Sequence, residues 1–322
     1  MKTISIIVPE QAVLSSIWDT KRLFAFANEM QQGKNADDFF KVQLVGFRKQ
    51  IRLDGGSCII EVDKTIAEVE YTDLIIVPAI WGDVMRGTQL NRHYFSWLIN
   101  QYKNGAEIAS YCVGAFIVAA TGLLNGKRCA THWAYTNELL AYYPEIKLVP
   151  EKIITEQNGI YSSGGGTSYW NLLLYLLEKF TSRKVVIAAT KYFLLDLARN
   201  SQSEFVMFKG QKEHGDKLVE KVQLYIENNY QEKINIERLA TDFSVVRRTL
   251  ERRFSKATKN TIAEYIQRTK IEVAKKEIEK DRKTINEIMY ELDYADKKAF
   301  KDLFLKITGL TPIEYKRKYV RN

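Results

Sequence analysis

Glu107-Ile108-Ala109-Ser110-Tyr111-Cys112-Val113-Gly114-Ala115-Phe116 is the stretch on which the reading of the first two hundred residues turns. A strand-like run, Glu107 to Tyr111, passes directly into a cysteine, a nearby glycine and an apolar helical segment. Strand, nucleophile candidate, glycine, then helix is the order of a nucleophile elbow, a sharp turn that presents its side chain at the carboxyl edge of a sheet. The partial positive charge of the following helix N-terminus would favour the Cys112 thiolate there. Ser110 stands where such motifs carry a first glycine, and a small buried cysteine at the start of a core helix is the plainer reading of the same residues.

The pattern on either side is α/β. Runs at 4–8, 42–47 and 74–77 alternate with helical stretches such as 92–103 and 133–142, which predicts βαβ units around a parallel sheet with helices on both faces. Leu74-Ile75-Ile76-Val77 is apolar without alternation, as a central strand covered on both sides should be. Asn104-Gly105 ends the helix ahead of Glu107. The uncharged span Ile108 to Gly126 approaches the roughly 20 residues of a membrane helix. Ser110, Tyr111, Gly114, Thr121, Gly122 and Asn125 dilute it, and a buried strand entering a buried helix accounts for it without lipid. The apolar start is cut by Pro9 and Glu10 after about five residues, too short for a signal peptide. A cytoplasmic protein without membrane contact is expected.

Three cysteines, Cys58, Cys112 and Cys129, are too few and too odd in number for a disulfide scaffold and are expected to be reduced. With Cys112 as nucleophile candidate, His132 in Cys129-Ala130-Thr131-His132-Trp133 is the candidate base, because His93 falls in a helix and His214 in a polar linker. Glu10, just past the first strand, reaches the same sheet edge by topology and could orient or protonate a partner. Blander readings stand beside these: a hydrogen-bonded pocket or core histidine, and an exposed loop carboxylate. Cys112, Cys129 and His132 also compose a Cys2His donor set. Nothing else has ligand spacing and the turn explains Cys112 without zinc, so neither metal nor cofactor is expected. Ser162-Ser163-Gly164-Gly165-Gly166-Thr167-Ser168 follows a strand at 159–161 and precedes a helix at 169–180; its amides could face an anion or carbonyl, or form a plain capped turn. It lacks the Gly-Lys-Ser/Thr of a Walker loop. The ligand-binding candidates of this half are therefore Cys112, Val113, His132, Gly164 and Gly165.

Charge divides the chain. Of 48 Lys+Arg and 39 Asp+Glu, residues 1–205 hold 21 against 20 and residues 206–322 hold 27 against 19, so the tail carries +8 of the total +9. A basic domain beside a near-neutral one is the footprint of a nucleic-acid binder, since cations that neutralise phosphates release counterions. A Lys-rich solvated helical surface gives the same balance.

Residues 216–322 read as an all-α domain. Helical spacing recurs over 216–229, 236–242, 247–256, 261–280, 284–292, 296–307 and 312–319, with almost no strand signal between. Two pairs of a short helix and a basic helix make helix-turn-helix units: Ile236 to Ala240 with Arg248 to Phe254, and Ile285 to Ile288 with Lys297 to Phe304. The stretch 261–280 between them spans about 30 Å as one helix, at about 1.5 Å per residue. That approaches one turn of DNA, so the two second helices can enter successive major grooves on one face of the duplex. With Leu250 and Phe254 inward, Arg247, Arg248 and Arg252 point outward beside Thr249; with Phe300 and Phe304 inward, Lys297, Lys298 and Lys301 do. Arginine pairs bidentately with guanine edges while lysine serves phosphate equally well, so base readout is expected of the first helix more than the second. Phosphate contact or simple solvation is the alternative for each single charge. Thr311-Pro312 opens the last helix, whose free amides could hold a phosphate. Residues 201–215 read as a linker.

These residues resemble known families. Leu239-Ala240, Arg248-Thr249-Leu250-Glu251-Arg252-Arg253-Phe254, Phe300 to Phe304 and Thr308-Gly309-Leu310-Thr311-Pro312-Ile313-Glu314-Tyr315 resemble the AraC/XylS DNA-binding domain. Ser110 to Phe116, Gly122-Leu123-Leu124-Asn125-Gly126 and Ala130-Thr131-His132-Trp133 resemble the ThiJ/PfpI, class I glutamine amidotransferase-like fold, which is flavodoxin-like. Together they resemble the GlxA family of transcriptional regulators over nearly the whole chain. The resemblance implies a cytoplasmic regulator whose residues 1–200 sense an unidentified small-molecule effector and form a homodimer, and whose residues 216–322 bind double-stranded promoter DNA. It does not imply an active enzyme. Enzymes of the superfamily use an elbow cysteine with nearby histidine and acidic residues, positions matched here by Cys112 and His132. Leu14-Ser15-Ser16-Ile17-Trp18-Asp19-Thr20 stands where relatives carry a Leu-Asp…Gly-Pro segment. Val246 stands where the family often has an N-cap serine before the first recognition helix; Ser244 would cap if that helix began earlier. Two further readings follow from Cys112: a Cys-dependent amidase- or hydratase-like enzyme with a localising basic tail, and a regulator using Cys112 as a thiol redox switch.

Overall fold

In chain order the strands are β1 (Lys2–Ile7), β2 (Phe40–Gly46), β3 (Gln50–Leu53), β4 (Cys58–Glu61), β5 (Lys64–Thr65), β6 (Leu74–Val77), β7 (Glu107–Ser110), β8 (Arg128–Cys129), β9 (Lys147–Leu148), β10 (Ile154–Gln157) and β11 (Ile160–Ser163). The computed structural model describes residues 1–31, 39–53, 56–196, 201–212 and 214–320, which divide into two units, Met1–Gln202 and Ser203–Asn322. Among the described residues, seven strands form one sheet in the order β10-β11-β7-β6-β1-β2-β5. Its neighbours are parallel except at one edge, where β10 and β11 make an antiparallel hairpin through Asn158 and Gly159. The parallel sheet with helices on both faces that the sequence predicts is present, with this one antiparallel edge pair added: a two-residue connection is too short for the crossover that a parallel pair needs.

Helices α1 (Leu14–Gln31), α2 (Val84–Leu90), α3 (Phe95–Lys103), α4 (Ala115–Ala120), α5 (Thr136–Tyr142), α6 (Ser168–Phe180) and α7 (Arg183–Phe193) complete the first unit. The unbroken apolar run of β6 feeds two cores. Leu74 and Ile76 join Ile17, Phe24, Leu172 and Leu176 under α1 and α6, while Ile75 and Val77 join Leu98, Phe116 and Ile117 under α3 and α4. Side chains alternate across a strand, so a strand covered on both faces must be apolar throughout. The segment Ile108 to Gly126 is the rest of β7, a single 3-10 turn, α4 and the turns that follow it; Ala109 and Tyr111 are buried in the first of these cores and Ile108, Phe116 and Ile117 in the second. Among the described residues no helix is long and apolar enough to cross a membrane. The departure at Leu14 to Thr20 is the first turns of α1, where Asp19 accepts from the Tyr169 hydroxyl (2.6 Å) and Thr20 pairs with that of Tyr111 (3.1 Å).

The second unit is helical: α8 (Lys217–Asn228), α9 (Ile236–Asp242), α10 (Arg247–Thr258), α11 (Ile262–Lys280), α12 (Ile285–Glu291), α13 (Lys297–Thr308) and α14 (Pro312–Tyr319). Two small cores share α11. Its first half gives Ile262 and Tyr265 to a cluster with Leu239, Leu250 and Phe254; its second half gives Ile271, Ala274 and Ile278 to one with Ile288, Phe300 and Phe304. The halves repeat each other about fifty residues apart. The Thr258 hydroxyl donates to the Phe254 carbonyl (2.8 Å), and the Thr308 hydroxyl donates to that of Phe304 (2.8 Å). Ser244 and Asp293 turn the two helix pairs in left-handed conformation, φ 51° and 61°.

The described residues of 201–215 are tied down rather than free-standing. Gln202 is buried in the first unit, and in the second the Phe208 amide donates to Glu272 (3.0 Å) while the buried Lys275 ammonium reaches the Val206 carbonyl (2.6 Å).

Candidate functional sites

The turn after β7 is built by close approach. Gly114 has ordinary helical φ, but a Cβ there would stand 2.3 Å from the Pro78 carbonyl oxygen, so only glycine lets α4 start so close to the end of β6. Cys112 takes φ 53°, a conformation that costs most residues about 1–2 kcal/mol and that the surrounding packing enforces. Its amide donates to the Ser163 hydroxyl (3.4 Å), and its carbonyl accepts from the Thr131 hydroxyl (2.9 Å). Burial pushes the half-buried Cys112 thiol up to about 11, against which the Val113 and Gly166 amides, donating to sulfur, pull only partway. Desolvation thus favours the neutral thiol here, against the thiolate that a helix N-terminus would favour.

His132 stands beside this turn and Glu10 is engaged elsewhere. The His132 ring packs on Gly165, where a Cβ would come within 2.2 Å of it, and its Nδ1 accepts from the Ala134 amide (3.1 Å). That makes it a cap of its own 3-10 turn, and burial lowers its pKa from the usual histidine value. Glu10 accepts from Arg48 (3.0 Å), while its backbone is pinned on both sides by the Asn91 amide (2.8 and 3.0 Å). No hydrogen bond joins Cys112, His132 and Glu10 among the described residues. The Val113 side chain is packed into the core, leaving its amide as the part that meets the thiol. Ser162 and Ser163 belong to β11, and the glycine loop's amides are already used: Gly164 donates to the Ile153 carbonyl (2.7 Å), Gly165 to Gln202 (3.1 Å), and Gly166 to Cys112. Of the two readings of this loop, an amide-lined site or a plain turn, its three glycine amides are here satisfied from within. Among the described residues, no group of three or more His, Cys, Asp or Glu side chains is placed to hold a metal.

In the helical unit, Leu250, Phe254, Phe300 and Phe304 are fully packed and Arg247, Arg248, Arg252, Lys297, Lys298 and Lys301 are exposed, with Thr249 half-buried. Their electrostatics differ. Arg247 is held between Glu237 of α9 (2.8 Å) and Glu251 of α10 (2.9 Å), whereas Arg248, Arg252 and the three lysines make no ion pair among the described residues. Arg253 turns back to Asp216, the N-cap of α8, and holds that carboxyl below the usual range. Helix α10 starts at Arg247 with Val246 as an uncapped N-cap; Ser244 lies in the turn and does not cap. The amides opening α14 are not free for phosphate, because Glu314 closes a capping box with Thr311 (2.7 Å to both its amide and its hydroxyl). A carboxylate already sits where the phosphate would bind. Sequence reasoning missed Arg48, the Glu237 and Glu251 clamp, and Gln202; only the clamp had a signal, an Arg four residues before a Glu on one helix face.

An α/β domain with a cysteine at a strand-to-helix turn, followed by paired helix-turn-helix units, defines a class of two-part proteins. Residues 26–179 match the DJ-1/PfpI family and residues 239–318 the helix-turn-helix domain family. The chain is similar to the HTH-type transcriptional regulator GbdR of Pseudomonas aeruginosa, 23% identical over 234 residues, covering 72% of this chain and 64% of that protein. It is similar to the isonitrile hydratase of Pseudomonas putida, 33% identical over 104 residues, covering 32% of this chain and 42% of that enzyme. Its fold is similar to that of a THiJ/PfpI family protein from Pseudomonas syringae, TM-score 0.51 at 16% identity, covering 61% of this chain and 75% of that one. The chain thus carries a region matching the DJ-1/PfpI family followed by a region matching a helix-turn-helix domain.

Proposed function

We propose that the protein is a cytoplasmic, sequence-specific transcriptional regulator that binds promoter DNA as a homodimer, with its α/β unit sensing a small-molecule effector. The observation that carries the reading is the pair of second helices, α10 and α13, each with its apolar row sunk in a separate core and its cationic row exposed. A helix so mounted presents side chains to a major groove. Arg248, Thr249 and Arg252 are assigned to base edges and neighbouring phosphates, Lys297, Lys298 and Lys301 to the second groove, and Arg247 to holding α10 against α9. The α/β unit supplies the effector site around Cys112, Val113, His132, Gly164 and Gly165. An effector regulates by binding two arrangements of the DNA-reading pair unequally.

The thiol argues against a nucleophilic or redox role. Burial pushes its pKa up to about 11, away from the thiolate that such a role needs, and Glu10 is paired with Arg48 rather than with Cys112 or His132. Selection of bound fragments from randomised DNA, followed by salt titration of the enriched site, tests the reading. A bipartite motif spaced near one helical turn and bound well above competitor DNA is the expected result; steeply salt-dependent binding without sequence preference would overturn it.

A further inference from the structure

Gln202, the last residue of the α/β unit, holds contacts that DNA reading leaves unexplained. It is 2% exposed. Its Nε2 donates to the carbonyl oxygens of Thr131 (2.9 Å), Pro150 (2.9 Å) and Lys152 (3.3 Å), two N–H bonds shared among three acceptors, and its Oε1 accepts from the Gly165 amide (3.1 Å). The amide lies against Gly164, where a Cβ would approach its Cδ to 2.9 Å. Four main-chain groups from three separate segments thus converge on one neutral primary carboxamide. They do so within the cysteine site, for the Thr131 hydroxyl bonds the Cys112 carbonyl, His132 packs on Gly165 and Gly166 bonds the Cys112 thiol.

We propose that these groups form a carboxamide-binding site occupied by the chain's own Gln202, and that a small neutral primary amide or urea is the effector class that competes for it. The proposal rests on the effector-sensing reading and gives it a ligand chemistry. The contact set selects. A carboxylate would face three carbonyl oxygens and be repelled. A guanidinium would satisfy the carbonyls and leave the half-buried Gly165 amide without an acceptor, the costly half of a broken hydrogen bond. A carboxamide replaces Gln202 with every group paired. Gln202 is tethered, its backbone amide donating to the Glu151 carbonyl (3.0 Å), so it competes at high effective concentration. Ser203, the next residue, opens the helical unit. Displacement therefore frees the chain at the point where one unit hands over to the other.

Acetamide binding to the full-length wild type and to Gln202→Ala, read by saturation-transfer NMR with acetate and guanidinium as controls, tests this. The variant should bind acetamide at least tenfold more tightly than wild type and neither control detectably, and saturating acetamide should speed hydrogen exchange at the Gln202 amide of the wild type. Equal affinities, no binding to the variant, or acetate bound as well as acetamide would overturn the proposal. Gln202→Glu serves if the alanine variant does not fold: its carboxylate is expelled by the same three carbonyls and should leave the site open to acetamide. Binding of the selected DNA is measured in the same samples. Its absence in the wild type would sink the regulator reading, whereas intact DNA binding without amide binding would sink only the carboxamide site.

Discussion

Gly114→Ala isolates the geometry that positions the cysteine turn. Gly114 has φ −57°, so alanine brings no backbone strain of its own. What it brings is a Cβ 2.3 Å from the Pro78 carbonyl oxygen and 2.8 Å from that of Val77. An ordinary contact begins near 3.4 Å, so α4 and the end of β6 must part by about 1 Å in a core where Ala115, Phe116 and Ile117 are fully buried. Overpacking costs about 1–3 kcal/mol, and the upper end applies because both opposing atoms are backbone and no side chain can swing aside. At about 2–4 °C per kcal/mol for a unit of this size, the midpoint of the α/β unit should fall by about 6–12 °C. Trp18, Trp81, Trp97, Trp133 and Trp170, all five tryptophans of the chain, lie in that unit, so tryptophan emission, excited where tyrosine does not absorb, reports on it. A midpoint within about 1 °C of wild type would refute the reasoning, since α4 would then not press on β6.

Arg248→Ala and Arg252→Ala should each weaken binding of the selected DNA by about 1–3 kcal/mol where the residue reads a base, and Arg247→Ala should weaken it less because Glu237 and Glu251 already hold that guanidinium; a competition titration giving equal losses for all three would contradict the assignment. Alkylation of Cys112 by iodoacetamide should be slower at pH 7.5 than that of free cysteine and keep accelerating toward pH 11, in line with its raised pKa; a faster reaction at neutral pH would show a thiolate. Burial lowers the His132 pKa, so the unfolded chain takes up the proton more readily than the folded one. The associated stability is present above the ordinary histidine pKa near 6.5 and is lost as pH falls below it. His132→Gln should therefore flatten the fluorescence-detected stability loss between pH 7 and 5, and an unchanged slope would rule His132 out as its source.

Where residue type alone determines structure, the sequence was readable. An unbroken apolar run made β6 legible as a strand covered on both faces, and the spacing of Leu250 with Phe254 and of Phe300 with Phe304 placed both second helices with their cationic rows outward. Boundaries set by a single cap were also close: Asp216, Thr261, Thr284 and Asp296 begin helices as N-caps. The site was less legible because its chemistry depends on distance. The burial that pushes the Cys112 pKa up depends on what packs around the thiol, which spacing does not show. Glu10 looked available until Arg48, 38 residues on, was found against it. Glu314 looked like an ordinary surface acid although it fills the N-terminus of α14. Gln202 sits in a polar stretch indistinguishable from linker by composition, and only the fold brings Thr131, Pro150, Lys152 and Gly165 around it.

The place of β1 inside the sheet sets an order of events during synthesis. Its partners lie at residues 40–45 and 74–76, and the sheet is not complete until β11 at 160–163 pairs with β7. At about 5–20 residues per second, β1 waits roughly 4–14 s after its own translation for its second partner, β6, and roughly 8–30 s pass before the last parallel neighbour of the sheet has been made. The helical unit closes its two cores through contacts nearer in sequence, and low contact order folds faster. Refolding of the whole chain should therefore be biphasic, with helix forming ahead of tryptophan burial. In the cell the hazard falls on the first half: strands β1 and β2 spend the first of those seconds with open edges, until β5 and β6 have been made, and it is there that a chaperone would have most to shield.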